Sequence, residues 1–429
     1  MTTVRGTPER DDTSPEGAAP SLDEVRARGR VRGSLMLVGP AFVAAIAYVD
    51  PGNFATNFAS GASFGYELVW VIVAANLMAM VIQSLSGKLG LATGRSLPEL
   101  CREHYPRPVT RGLWVQAEAV AMATDLAEII GGAIALALLF DIPLFTGGLI
   151  TGVVAFALLG MQSRGFRPFE RVITGLLAVI FLGFLYNLVL VEPDPGGVVS
   201  GLVPTFSNVD SVLLAAGILG ATVMPHVIYL HSALTQRRVS AADAPERRVL
   251  LRYQRIDVVV AMGLAGLVNL AMLVIAAELF FGSDIPDTDT IEGVHAGLQS
   301  TLGTGAALAF ALALLASGFA SSGVGTYSGQ IIMQGFLRRQ IPLILRRGIT
   351  MAPALIVLAL GVDPTRALIL SQVVLSFGIP FALVPLVLLT RRADVMGELV
   401  NRRVTTVVGS LIAAVIIALN LFLLSQFLR

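Results

Sequence analysis

The sequence predicts an all-α polytopic membrane protein: two inverted repeats of five helices, an eleventh helix, and a mid-membrane break in helices one and six. Three observations carry this. Hydrophobic residues make up 55% of the 429-residue chain, charged residues 14%, and the mean hydropathy is +0.77. That composition suits a polytopic membrane protein, not a soluble domain folded around a core. Eleven apolar segments are long enough to span, roughly 34–59, 66–87, 114–139, 143–162, 171–191, 209–234, 255–281, 303–330, 342–361, 365–389 and 404–428. Finally, the charge of the connecting loops alternates along the chain.

That alternation sets the topology. The N-terminal tail and the loops around 88–112, 163–171, 236–256, 337–348 and 390–403 hold 28 of the 30 Lys and Arg; only Arg366 and Arg429 lie elsewhere. The other loops carry Glu192, Asp194, Asp284, Asp287, Asp289 and Glu292. Positive loops stay inside, so the N-terminus is expected in the cytoplasm and, after eleven spans, the C-terminus outside. Residues 1–32, with six Arg, six acids and little apolar content, read as a disordered tail. Residues 33–429 form the membrane domain. Repeat one covers about 34–191, repeat two about 209–389, and the extra helix about 404–428.

The first span contains Asp50-Pro51-Gly52-Asn53. Arg32 lies eighteen residues before Asp50 and Glu67 seventeen after, with no formal charge between. At about 1.5 Å per helical residue, Asp50 falls near the centre of a roughly 30 Å slab, where a carboxylate is expensive and marks function. Pro51 removes a backbone donor and Gly52 loosens the chain, so the helix should break there. A carboxylate, an amide and freed carbonyls together make a hard-oxygen cation site. The competing reading is a kinked helix whose Asp is paired with a buried base.

The sixth span repeats the feature at Ala221-Thr222-Val223-Met224-Pro225-His226, with Asp210 fourteen residues before Met224 and Arg237 thirteen after. The starts of the two interrupted spans are five helices apart, an odd number, so they enter from opposite sides. Such a pair marks inverted repeats with a substrate site where the discontinuous helices meet. Met224 adds a soft thioether that suits transition metals, although any one of twelve methionines also fills gaps in a helical core.

His226 reads as a proton carrier or as a packing histidine; His231, five residues on, points to another face and reads as packing. In span three, Asp125 and Glu128 share a face, as a proton relay or as partners for a buried base. Arg346 and Arg347, at the start of span nine, are the candidate bases, with snorkelling to the surface as the alternative. Gln372 reads as a ligand or a helix–helix contact, and Asn269 as the latter. The small, polar run from Ser317 to Gln330 reads as close helix approach.

The lone Cys101 excludes an intramolecular disulfide or a cysteine metal cluster. A net charge of +1 says nothing about nucleic acid, and no nucleic-acid partner is expected. No phosphate-binding Gly-x-x-x-x-Gly-Lys-Ser/Thr loop is present, which disfavours a pump powered by this chain, and no His-Glu-x-x-His motif points to a metalloenzyme. A sodium-coupled solute symporter and a channel are the remaining alternatives.

These motifs resemble the Nramp family of proton-coupled divalent metal transporters. Asp50-Pro51-Gly52-Asn53 is similar to that family's helix-one motif and Met224-Pro225-His226, continuing to Leu234, to its helix-six motif. Gly325-Thr326-Tyr327-Ser328-Gly329-Gln330 and Met333-Gln334-Gly335-Phe336-Leu337 are similar to its helix-eight signature. The resemblance runs from about Gly33 to the end, and eleven spans match the bacterial members. It implies a LeuT-like fold and, rather than enzymatic activity, proton-coupled import of Mn²⁺, also Fe²⁺ and ions such as Co²⁺ and Cd²⁺, by alternating access across the inner membrane. It implies Asp50, Asn53, Met224 and the carbonyls of Ala47 and Ala221 as ligands, with Gln372 contributing in some states. It further implies a proton route through Asp50, His226, Glu128, Asp125 and Arg347, no resident cofactor and no obligatory protein partner.

Overall fold

The first expected span is built as two helices rather than one. In the computed structural model, α2 (Pro40–Ala47) stops at Ala47 and α3 (Pro51–Phe64) begins at Pro51. The residues described are 20–27, 29, 33, 36–162, 166–236, 238–241, 243–338 and 342–427. Most of the expected tail, residues 1–19 among it, lies outside them. Its described part departs from the expectation of disorder, because Leu22–Ala27 forms a short helix, α1. Ser21 and Glu24 cap it reciprocally, with Glu24 N–H donating to Ser21 Oγ at 3.2 Å and Ser21 N–H to Glu24 Oε2 at 3.3 Å. Leu22 and Val25, three residues apart, bury its apolar edge.

The remaining helices follow the expected order. They are α4 (Val69–Thr93), α5 (Leu97–His104), α6 (Arg107–Phe140), α7 (Leu144–Gln162), α8 (Phe166–Val191) and α9 (Pro195–Ser200). Then come α10 (Val209–Thr222), α11 (Pro225–Thr235), α12 (Ala244–Phe280), α13 (Ile291–Leu302), α14 (Thr304–Leu337) and α15 (Leu343–Ala359). The chain closes with α16 (Pro364–Thr390), α17 (Ala393–Met396) and α18 (Arg403–Phe427). Among the described residues eight helices are long and apolar enough to cross a membrane, counting α10 and α11 as one stretch. The other three expected spans are α2 with α3, α7 and α15.

Helices outrun the hydropathy boundaries where charge begins. Thus α12 starts at Ala244 rather than 255 and α6 at Arg107 rather than 114. Arg and Glu are good helix formers, so a helix continues past the point where its side chains turn polar. At its other end α14 runs on to Leu337 rather than 330, through the uncharged residues 331–337 up to Arg338. The acidic loop 282–302 likewise holds a helix. Thr290 Oγ accepts the Gly293 N–H at 3.0 Å to start α13, and Ile291, Val294 and Leu298 bury one stripe.

Equivalent helices of the two halves pack on each other: α4 with α12, α6 with α14, and α7 with α15. Such pairing is what an inverted repeat produces around its pseudo-two-fold axis. The small residues expected to permit close approach do so in α14, where a Cβ on Gly318 would sit 2.9 Å from the Gly132 backbone nitrogen of α6. Beside α3, Phe54, Phe58, Phe184 and Phe310 form a cluster of tilted and edge-to-face rings with centroids 5.1–6.1 Å apart.

Candidate metal site at the two helix interruptions

Each interruption is made by a proline that withholds an amide from a specific carbonyl. In an unbroken helix the Ala47 carbonyl would accept from residue 51 and the Ala221 carbonyl from residue 225. Both positions are proline, so both carbonyls lose their helical partner. The backbone then leaves the helix, with Asp50 extended at φ −71°, ψ 168° and Met224 at φ −69°, ψ 122°. Helix C-terminal ends, carrying negative partial charge, therefore face the same region as the carboxylate.

Asp50 is the N-cap of α3. Its Oδ1 accepts from the Asn53 backbone N–H at 2.9 Å and from Asn53 Nδ2 at 2.7 Å. Asn53 Nδ2 also donates to the Ala221 carbonyl at 3.0 Å and so ties the first break to the second. Asp50, Asn53 and Met224 are fully buried. Among the described residues, the acceptors Asp50 Oδ2, Asn53 Oδ1 and Gln372 Oε1 and the hydroxyl of Thr222 are buried with no hydrogen-bond partner. Gln372, from α16, presses on Gly52, where a Cβ would lie 1.8 Å from Nε2. Met224 caps the start of α11 without any side-chain hydrogen bond, so its thioether is not used to cap the helix. Among the described residues no group of three or more His, Cys, Asp or Glu gathers to hold a metal. Any cation here would instead take a mixed shell of one carboxylate, amide and carbonyl oxygens, and sulfur.

The acids of α6 stand beside this region. Pro51 packs on Gly131, one turn from Glu128. Asp125 makes an ion pair with Arg347, whose other nitrogen donates to Ser322 Oγ. Arg346 pairs with Glu118 at 3.1 Å. Both arginines are thus buried bases with partners rather than snorkelled side chains, with Arg347 only 1% exposed. Glu128 points at Gly325 of α14, where a Cβ would meet Oε1 at 2.6 Å, and its Oε2 has no hydrogen-bond partner among the described residues. His226 Nδ1 lies 3.2 Å from Thr124 Oγ, the neighbour of Asp125, and its Nε2 has no hydrogen-bond partner among the described residues. His231 joins a different chain: its Nδ1 meets Gln83 Oε1 at 2.9 Å, and Gln83 Nε2 donates to the Tyr48 hydroxyl at 2.5 Å.

Some supporting groups escaped the sequence reading. Asn57 Nδ2 donates to Asn269 Oδ1 at 3.0 Å, and Asn269 Nδ2 to the Tyr48 carbonyl at 2.9 Å. Asn269 is therefore a helix–helix contact, as expected. Asp257 of α12 accepts from the Gly39 and Ala41 N–H groups at 3.0 and 2.9 Å, and so caps α2 from a distance. The signal available was that Gly39-Pro40 starts a helix with no side-chain cap of its own.

The sequence profile of the family described as "Natural resistance-associated macrophage protein-like" matches residues 41–426. The chain belongs to the Nramp family. Among Nramp relatives, the "Divalent metal cation transporter MntH" of Deinococcus radiodurans is 55% identical over 398 residues, 93% of this chain and 91% of that one. The protein of the same name from Bacillus subtilis is 52% identical over 401 residues, 93% and 94% of the two chains. A crystal structure of the Eremococcus coleocola manganese transporter superposes with TM-score 0.83 at 33% identity, over 93% of this chain and 88% of that one. The nucleobase-cation-symport-1 family transporter Mhp1 shares the fold with TM-score 0.60 at 15% identity. The Nramp chain described here thus has the LeuT-like architecture that its motifs implied.

Proposed function

We propose that this Nramp protein imports a divalent transition-metal ion, Mn²⁺ first and Fe²⁺, Co²⁺ or Cd²⁺ after it, by alternating access. The ion binds between the two interruptions, on Asp50, Asn53, Met224 and the Ala47 and Ala221 carbonyls, with Gln372 joining in some states. The observation that carries this is the pair of fully buried oxygens, Asp50 Oδ2 and Asn53 Oδ1, left without a donor beside an uncommitted thioether. Buried acceptors without donors are costly, and a cation removes that cost. The relatives named for divalent cation and manganese transport support the choice of substrate.

Protons move with the metal, through Asp50, His226, Glu128, Asp125 and Arg347. His226 Nε2 and Glu128 Oε2, without hydrogen-bond partners among the described residues, support this route, since each is a buried site where a proton can bind or leave. The basic loops face the cytoplasm and the acidic loops the outside, so metal passes from the acidic to the basic side of the cell membrane.

The test is Mn²⁺ uptake into proteoliposomes carrying an internal pH dye, for the wild type and Asp50→Ala. Uptake with internal acidification, both lost in the variant, is expected. Metal entry without acidification removes the proton coupling, and no metal entry refutes the metal reading and returns the sodium-coupled alternative.

A further inference from the structure

A cavity of about 830 Å³ opens between α4, the first turns of α12, and the segment leading into α18, away from the metal site. Its polar wall is cationic: Lys88, Arg248, Arg252, Arg255 and Arg402, against the single acid Glu398. Arg248, Arg252 and Arg255 stand at i, i+4 and i+7, so they form one stripe along the helix. Lys88 is only 6% exposed, and its ammonium donates to a neutral acceptor, Asn401 Oδ1. Asn401 is itself fixed by Thr390, through its N–H to the carbonyl at 3.0 Å and Nδ2 to the hydroxyl at 2.8 Å.

Elsewhere the buried bases Arg346 and Arg347 are paired with Glu118 and Asp125, and the half-buried Arg238 with Glu170. The five cations of this cavity have no such pairs among the described residues; the four arginines are exposed, and Lys88 is the buried one. A nearly buried ammonium without a counter-charge is costly, and an anion supplied from outside the chain would satisfy it. Further along α12 the lining turns apolar and opens outward, with Ile256 and Val259 one turn beyond Arg252 and Arg255, 46% and 55% exposed, beside the buried Leu85 of α4. A free phosphate would use the cations and leave that apolar lining with nothing to cover it. A phospholipid uses both, and basic pockets between transmembrane helices bind anionic headgroups.

We infer that this cavity holds an anionic phospholipid, its phosphate against Lys88, Arg252 and Arg255 and its acyl chains along Ile256 and Val259. The orientation proposed above decides only which leaflet supplies the lipid; the metal reading is not needed.

The test uses the full chain reconstituted in phosphatidylcholine bilayers doped with phosphatidylglycerol, released, and its retained lipid counted by native mass spectrometry. The wild type is expected to retain phosphatidylglycerol over phosphatidylcholine, and Arg252→Gln with Arg255→Gln to lower that preference about 30-fold. Both arginines are exposed, so the double variant keeps the fold; Lys88→Met serves as the buried counterpart. Equal preference in wild type and double variant overturns the site. In a second arm, thermal unfolding of the delipidated chain in a non-ionic detergent is followed with phosphatidylglycerol or with inorganic phosphate. A higher midpoint with the lipid alone, lost in the double variant, supports the assignment. An equal rise with phosphate overturns the lipid in favour of a free anion, and no rise with either overturns the site.

Discussion

The side-chain amide of Asn53 bridges the two interruptions, donating to Asp50 Oδ1 at 2.7 Å and to the Ala221 carbonyl at 3.0 Å. This fixes which way the amide faces, because both neighbours are acceptors and only Nδ2 can satisfy them. Asn53 Oδ1 is then the atom left for a cation. Asn53→Asp would set a second carboxylate against two acceptors. Mn²⁺ uptake is expected to fall at least tenfold in Asn53→Asp and in Asn53→Ala, measured in proteoliposomes. The alanine variant also loses two hydrogen bonds, about 1 kcal/mol each.

Asp50 has two roles that one substitution separates. It caps α3 through its oxygen and offers the negative charge of the proposed site. Asn caps a helix as well as Asp, within a few tenths of a kcal/mol. Asp50→Asn is therefore expected to keep the thermal unfolding midpoint while abolishing saturable Mn²⁺ uptake. A midpoint that drops with the uptake would show that the carboxylate is chiefly structural.

Met224 caps the start of α11 with its backbone alone, without a side-chain hydrogen bond, so its side-chain chemistry can be removed cheaply. Met224→Leu conserves volume, and such swaps cost below about 1.5 kcal/mol. The variant is expected to transport Mn²⁺ but to lose most of its discrimination against Ca²⁺ and Mg²⁺, in competition assays. A hard-oxygen shell without sulfur has little reason to reject those ions. Unchanged discrimination would sink the thioether argument.

The two interruptions were legible because proline and glycine act on the backbone locally: Pro51 and Pro225 fix where amides go missing whatever the rest of the chain does. Buried charge was also legible, since Asp125 and Arg347 each stand out in an apolar segment. Their pairing was open until the packing of α6 beside α15 was known, and Glu118 went unassigned to Arg346 for the same reason. Asn57, Thr124 and the capping Asp257 were illegible. Each works through a neighbour distant in sequence, Asp257 on Gly39 across 218 positions, and hydropathy carries no such pairing. Helix ends were misplaced at Ala244 and Arg107 because hydropathy marks the apolar slab, not the hydrogen-bonded backbone.

Gly52 is held small by Gln372. With a Cβ 1.8 Å from Nε2, the alanine variant forces the amide aside. Gly52→Ala is expected to weaken Mn²⁺ uptake, and Gly52→Ala with Gln372→Ala to recover the packing, read as a return of the unfolding midpoint. If the double variant also recovers uptake, Gln372 acts by its bulk and not as a ligand.

The Asp125–Arg347 pair separates structure from proton movement through a double-mutant cycle. Both side chains are nearly buried, at 6% and 1% exposure, so neither charge can be left alone cheaply. Arg347→Gln strands a carboxylate and Asp125→Asn strands a guanidinium; each is expected to destabilise by about 3–5 kcal/mol. Removing both leaves a neutral pair that retains Ser322 as a partner, so the double variant is expected to be more stable than either single one. If the pair serves only to hold α6 against α15, the double variant imports Mn²⁺ with full internal acidification. On the proposed proton route it imports metal with the acidification reduced. The ratio of proton to metal flux in that one variant therefore decides between a strut and a relay.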